Sequence, residues 1–170
     1  LKGVGDGPVE DIIEERDKSG PFTAFADVIK RLGSKNVNKK VLESCVLGGA
    51  FDSFGQIHRA QYFAPYEKFG SYIEFMIRWG SQYQNSMKTT TASLFGDAGF
   101  QEEIRTPEPP VAEPWNTVEK LEKEMSVAGI YLSGHPLDDY ECEVKYAANA
   151  NIENLTALSA AGAPERKVRL

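Results

Sequence analysis

The chain has 170 residues, 41% of them apolar, enough for one medium domain or two small ones around a modest core. Its net charge of −6 comes wholly from the second half: residues 1–87 carry 11 basic and 11 acidic side chains, and residues 88–170 carry 8 and 14. No apolar run reaches membrane-spanning length, no signal or transit pattern is visible, and two distant cysteines (Cys45, Cys142) exclude a disulfide scaffold, so the chain reads as cytoplasmic, reduced and without a membrane partner.

The first element begins at Leu1-Lys2-Gly3-Val4-Gly5-Asp6-Gly7-Pro8. Two glycines two apart allow a tight turn, and Pro8 suits the first turn of a helix. Val9, Ile12, Ile13 and Arg16 follow at helical spacing, and Ser19-Gly20-Pro21 ends the helix. The amides of Gly5, Asp6 and Gly7 then stand at the positive end of a helix dipole, where a phosphate is held without any base being read. This has the form of a helix-hairpin-helix turn. A plain helix start with a glycine turn accounts for the same residues, and Asp6 would repel an incoming phosphate.

Thr23 can cap a short helix whose inner face is Phe25, Val28, Ile29 and Leu32, with Gly33 as its stop. Asn38 can cap the next, with Val41, Leu42, Cys45 and Val46 inward. Lys30, Arg31, Lys35, Lys39 and Lys40 run through this stretch with no acid between them. Such a local patch can bind a phosphate backbone, and it can equally be a solvated helix face. Gly48-Gly49-Ala50-Phe51-Asp52 is a second glycine turn, so the two hairpins form a pseudo-repeat. From Ile57 to Met87 the pattern is aromatic and helical, broken near Pro65 and Gly70, and aromatics at helical spacing read as core.

From Lys88 to Pro114 the composition reads as an exposed, flexible linker, with Pro107, Pro109, Pro110 and Pro114 toward its end. Within it, Thr91-Ala92-Ser93-Leu94-Phe95 places two large apolar residues on a polar tether. They suit insertion into a partner's pocket or folding back onto this chain. A helix resumes after the capping pattern Asn116-Thr117-Val118-Glu119, with Val118, Leu121, Met125 and Ala128 in one stripe and a Glu119–Lys123 pair outside. The last stretch, Lys167-Val168-Arg169-Leu170, alternates like the opening of a strand, and the chain reads as a piece of a longer protein.

Gly-Ile-Tyr-Leu-Ser-Gly-His-Pro-Leu-Asp-Asp-Tyr at 129–140 resembles a signature of the C-family bacterial replicative DNA polymerases. The opening Leu-Lys-Gly-Val-Gly-Asp-Gly, Gly-Pro-Phe at 20–22, Val-Asn-Lys-Lys-Val-Leu-Glu at 37–43 and Gly-Ala-Phe-Asp at 49–52 are similar to the same family in the same order. The resemblance implies a mostly α-helical fold: a tandem helix-hairpin-helix module at 1–87 gripping duplex DNA behind the active site, a linker at 88–114, and a segment at 115–170 leading into an oligonucleotide-binding barrel. It implies a sliding-clamp motif at Thr91, Ser93, Leu94 and Phe95, where Thr91 replaces the usual Gln and its long amide. Other replicase subunits and, for the parent polymerase, Mg2+ are further implied partners.

The set expected to meet the DNA backbone is Gly3, Val4, Gly5, Gly7, Gly48, Gly49, Lys30, Arg31, Lys35, Lys39 and Lys40. No catalytic residue, metal site or cofactor is expected in this stretch. The acidic pair Asp138-Asp139 follows a Pro turn and reads as a cap or solvated loop, and His58, His135, Cys45 and Cys142 lack zinc spacing. A helical protein–protein scaffold within the same polymerase is the alternative reading. A helix-hairpin-helix glycosylase is disfavoured, because no Lys–Asp pair follows either hairpin.

Overall fold

The computed structural model describes residues 1–36, 38–92 and 105–148, all of them helical or irregular; no strand occurs among them. The helices are α1 (Asp6–Ser19), α2 (Phe25–Asn36), α3 (Lys39–Leu47), α4 (Arg59–Phe63), α5 (Tyr72–Ala92), α6 (Thr117–Ala128) and α7 (Glu141–Tyr146). Short 3-10 turns occupy Asp52–Phe54 and Asp138–Tyr140. Two compact units divide the chain, Leu1–Leu132 and Ser133–Leu170.

Local signals set most of the helix ends. Asn38 Oδ1 accepts from the Val41 amide at 3.0 Å, and Asn116 Oδ1 accepts from the Glu119 amide at 2.8 Å, so both caps form as expected. Gly20 (φ +83) ends α1, and Gly33 (φ +70) interrupts α2 where a stop was expected. At the start of α1, Gly5 is the N-cap, and no side-chain cap bonds the first-turn amides.

The core of the first unit lies between α2, α3, α4 and α5. Phe25, Val28, Ile29 and Leu32 of α2 and Val41, Leu42, Cys45 and Val46 of α3 are buried as the periodicity requires, together with Tyr62, Tyr72, Ile73, Met76 and Trp79. Phe25 stands edge-on to Tyr62, centroids 4.8 Å apart. The aromatic stretch is therefore core. Burial pushes the Tyr72 hydroxyl up to about 12 and raises the Cys45 thiol. Both cysteines are free thiols, Cys45 buried and Cys142 exposed.

Two expectations about the middle of the chain change. Helix α5 continues to Ala92, past the expected linker boundary at Lys88. The proline-rich residues from Thr106 to Trp115 are a packed strap. Tyr72 Oη donates to Pro107 O at 2.9 Å, Gln61 Nε2 to Pro110 O at 2.7 Å, and His58 Nε2 pairs with Ala112 O at 3.0 Å, which places the ring proton on Nε2. Prolines have no amide to satisfy but keep their carbonyls, so a strap of them can be held from one side by side-chain donors. Trp115 then packs on Phe63, with Lys123 over its ring at 4.4 Å.

Helix α6 buries Leu121, Glu124 and Val127, while Val118 of the expected stripe is 43% exposed. In the second unit, Asp138 Oδ2 accepts from the His135 amide at 2.6 Å, and His135 Nδ1 accepts from the Leu137 amide at 3.2 Å. Both residues thus act in a turn, as the sequence suggested.

Candidate functional site

The two glycine turns lie in the first unit, and their geometry is opposite. In the first, the Val4 amide donates to Leu1 O at 3.3 Å and the Lys2 amide to Val127 O at 2.8 Å. Ser44 Oγ donates to Lys2 O at 2.9 Å. The turn is thus clamped onto α3 and α6. Gly3 has φ +84, which favours glycine, and a Cβ there would stand 2.8 Å from Cε of the exposed Lys40 side chain. Gly5 has φ −85, open to any residue, and a Cβ would meet only Pro8 Cδ at 3.9 Å; at Gly7 it would meet nothing within 4 Å. Gly5, Asp6 and Gly7 are exposed, and the amides of Asp6 and Gly7 begin a helix with no intrahelical acceptor. Glycine at positions 5 and 7 has no origin in the fold itself and leaves their amides open to close approach from outside.

The second turn is closed. The Gly48 amide donates to Ser44 O at 3.0 Å, Gly49 to Val46 O at 3.0 Å and Ala50 to Cys45 O at 2.9 Å. Gly49 has φ +80, and a Cβ there would collide with the Arg59 guanidinium. That guanidinium is buried behind the turn. Its Nε and Nη2 donate to Asp52, and its Nη1 donates to Leu47 O at 3.2 Å and Glu124 Oε1 at 2.8 Å. Glu124 is fully buried, and its other oxygen accepts from the Leu132 amide at 2.8 Å. Burial alone favours a neutral Arg59, but its hydrogen bonds to Asp52 and Glu124 outweigh it and raise its pKa. A 3-10 turn and the short α4 follow the second turn, so no long helix presents free amides there.

The basic run also separates. The Arg31 guanidinium is spent inside the chain: it donates to Glu15 Oε1 (3.0 Å), Glu15 O (2.9 Å), Gly20 O (2.9 Å) and Asp27 (3.3 Å), and it lies 4.2 Å over the Phe22 ring. It is the joint between α1 and α2 and not an outward cation. Lys30 rests over Trp79 and Tyr83, 5.4 and 5.0 Å from the ring centroids. Lys39 Nζ bonds Glu74 at 2.6 Å and lies 3.6 Å from Glu43. The side chain of Lys35, and Ser93, Leu94 and Phe95 with the side chain of Thr91, lie outside the described residues.

Lys40, against Gly3, and Lys2, within the first turn, are exposed and have no ion-pair partner among the described residues. Lys2 was absent from the expected set; its place inside the turn motif was the available signal. Val4 is in the expected set, but it packs against the core and its amide is taken by Leu1 O, so it braces the turn. No cluster of three or more His, Cys, Asp or Glu able to hold a metal occurs among the described residues, and no described helix is long and apolar enough to cross a membrane.

Residues 1–62, which contain both turns, match the family model described as helix-hairpin-helix motif. Over 152 residues, 87% of its length, the chain is 38% identical to DNA polymerase III subunit alpha of Vibrio cholerae. It is similar to the proteins of the same name from Deinococcus radiodurans (34% over 160 residues) and Escherichia coli K12 (31% over 156 residues), which cover 92% and 91% of it. The chain spans only 11–13% of the length of these relatives.

Proposed function

Because this chain is homologous over about nine tenths of its length to DNA polymerase III alpha subunits, we propose that it is a non-catalytic part of such a polymerase that holds the backbone of double-stranded DNA. The observation that carries this reading is the open first turn. Gly5 and Gly7 are glycines without a conformational or packing reason, at an exposed helix start, with Lys2 and Lys40 at the neighbouring Gly3 end of the same turn. One phosphate held by the amides, with two lysines nearby, gives affinity without sequence preference. The second turn, with its amides engaged, acts as a brace. Nucleotidyl transfer on Mg2+ belongs to the parent polymerase and needs carboxylates from elsewhere in it. The same parentage implies the bacterial cytoplasm and other replicase subunits as surroundings.

The test is duplex binding by the whole chain across a salt series. Gly5→Val should weaken binding for unrelated sequences equally while helicity by circular dichroism is unchanged. Unaltered affinity in the folded variant overturns the reading and favours the scaffold alternative, which the carboxylate of Asp6 at the helix start supports.

Leu94 and Phe95, with Thr91 and Ser93, dock on the sliding clamp in this reading. Burying both apolar side chains contributes on the order of 3–6 kcal/mol, much of it offset by ordering. A peptide of residues 88–98 should therefore bind purified clamp weakly by calorimetry and more tightly with Thr91→Gln. Absence of heat or competition, with another clamp ligand binding normally, removes this part of the proposal.

A further inference from the structure

Helix α1 carries an outward face that the first turn does not use. Asp6, Val9, Glu10, Ile13, Glu14 and Asp17 are all exposed and recur at three- and four-residue spacing, so they form one face. The opposite side is occupied: Ile12 packs against the core, and Glu15 is held by Arg31 at 3.0 Å. Val9 and Ile13 are 40% and 41% exposed and lie one turn apart, so they make an apolar seam along one edge. Beside that seam stand the carboxylates of Asp6, Glu10, Glu14 and Asp17. Arg16, at the border next to Val9, is turned onto Asp17 at 3.0 Å, and exposed Lys18 lies at the far edge.

We infer that this face docks a basic amphipathic helix of a partner protein, its apolar residues on Val9 and Ile13 and its lysines or arginines opposite Glu10 and Glu14. The charge pattern selects this occupant. A nucleic acid is repelled by the carboxylates of Glu10 and Glu14, which lie beyond the first turn of the helix. A second copy docked two-fold would set the same carboxylates against one another. An apolar stripe flanked by acids is the complement of an apolar stripe flanked by bases, the helix-on-groove arrangement of recognition by one amphipathic helix. The inference does not rest on phosphate binding at the first turn, and its readout is separate from duplex affinity.

The experiment uses the whole chain and two labelled synthetic helices of about five turns, roughly 18 residues each. Both have a leucine stripe, flanked by lysines in one and by glutamates in the other. Fluorescence anisotropy at low salt should show saturable binding of the lysine helix and none of the glutamate helix, weakening as salt is raised. Val9→Ser with Ile13→Ser, and separately Glu10→Gln with Glu14→Gln, should each weaken binding tenfold or more while thermal unfolding stays in place. Glu122→Gln on the exposed side of α6 should leave it unchanged, which separates this face from general acidity. Equal binding of both probes, or loss of affinity no greater in the α1 variants than in the α6 variant, overturns the inference. So does sedimentation showing that the chain self-associates through Val9 and Ile13, which would make a second copy the occupant.

Discussion

The first glycine turn is open and the second is locked, although in sequence they look like two copies of one device. At the first, glycines at positions 5 and 7 have empty space around them, and the helix amides that follow have no acceptor. At the second, the amides of Gly48, Gly49 and Ala50 all bond within the chain, and Arg59 fills the space behind Gly49. A glycine explained by its neighbours serves the fold. A glycine that the fold leaves unexplained marks a place where something else comes close. The pseudo-repeat has divided the work, with one copy kept free and the other turned into a joint tying α3, α4 and α6 through Arg59, Asp52 and Glu124.

The comparison breaks most visibly at that joint. Arg59→Met takes the guanidinium away from the fully buried Glu124 carboxylate, so it should cost about 3–5 kcal/mol, as breaking one side of a buried ion pair does. Urea unfolding followed by circular dichroism measures it. Replacing Arg59 and Glu124 together by Met should cost clearly less than the two single losses added, because no charge is then stranded. Additive losses would mean that the pair does not act as a unit.

Next comes a direct exchange between the turns. Gly49→Ala meets both a positive φ and the Arg59 guanidinium, and should destabilise by about 1–3 kcal/mol. Gly5→Ala keeps an ordinary φ and touches nothing, so its stability should stay within about 0.5 kcal/mol of wild type or rise slightly. Yet Gly5→Ala is the one expected to weaken duplex binding. If instead Gly49→Ala is silent in stability and Gly5→Ala is costly, the two turns have been assigned the wrong way round.

Much of this architecture was legible because it is local. Asn38, Asn116 and Gly20 act on residues within a turn of themselves, and the apolar periods of α2 and α3 are satisfied within their own helices. What could not be read depends on partners far along the chain. Glu124 sits in a helix where a glutamate ordinarily points to water, and its burial depends on Arg59, 65 residues away. Arg31 reads as one cation in a basic run until Glu15 and the carbonyls of Gly20 and Pro21 are brought around it. The strap is the sharpest case. Prolines have neither a helical nor a strand period, so 105–114 reads as a linker, while the donors that hold it come from Gln61 and Tyr72.

The same separation divides the cations. Lys40 is exposed beside Gly3, and Lys40→Ala should lower the slope of log affinity against log salt by about one while leaving stability alone. Arg31→Ala should do the reverse, leaving the slope and lowering the unfolding midpoint, because it frees α1 from α2. A full unit of slope lost with Arg31 would show that its guanidinium reaches a phosphate after all.

The smallest expected effect is in acid. The hydrogen bond from Arg31 is the chief cause holding the Glu15 carboxyl below its ordinary value of 4.5, helped by one from Ser19. A group whose pKa is depressed by folding contributes stability that is present above its unfolded value and lost as pH falls through its folded value. The α1–α2 joint should therefore be at full strength at neutral pH and weaken only below about 4.5, the ordinary carboxylate value. Glu15→Gln should unfold at a lower urea concentration than wild type at neutral pH, and the gap should shrink as the pH falls and Glu15 itself becomes neutral. Lys39 and Glu74 behave differently. Glu74 is lowered and Lys39 raised by their shared hydrogen bond, so that link between α3 and α5 is lost both in acid and above the ordinary lysine range. Both side chains are more than a third exposed, so added salt should erase the Lys39–Glu74 contribution while that of the more enclosed Glu15–Arg31 pair persists. A gap between Glu15→Gln and wild type that stays constant from neutral to acid pH would mean that Glu15 holds Arg31 by shape alone.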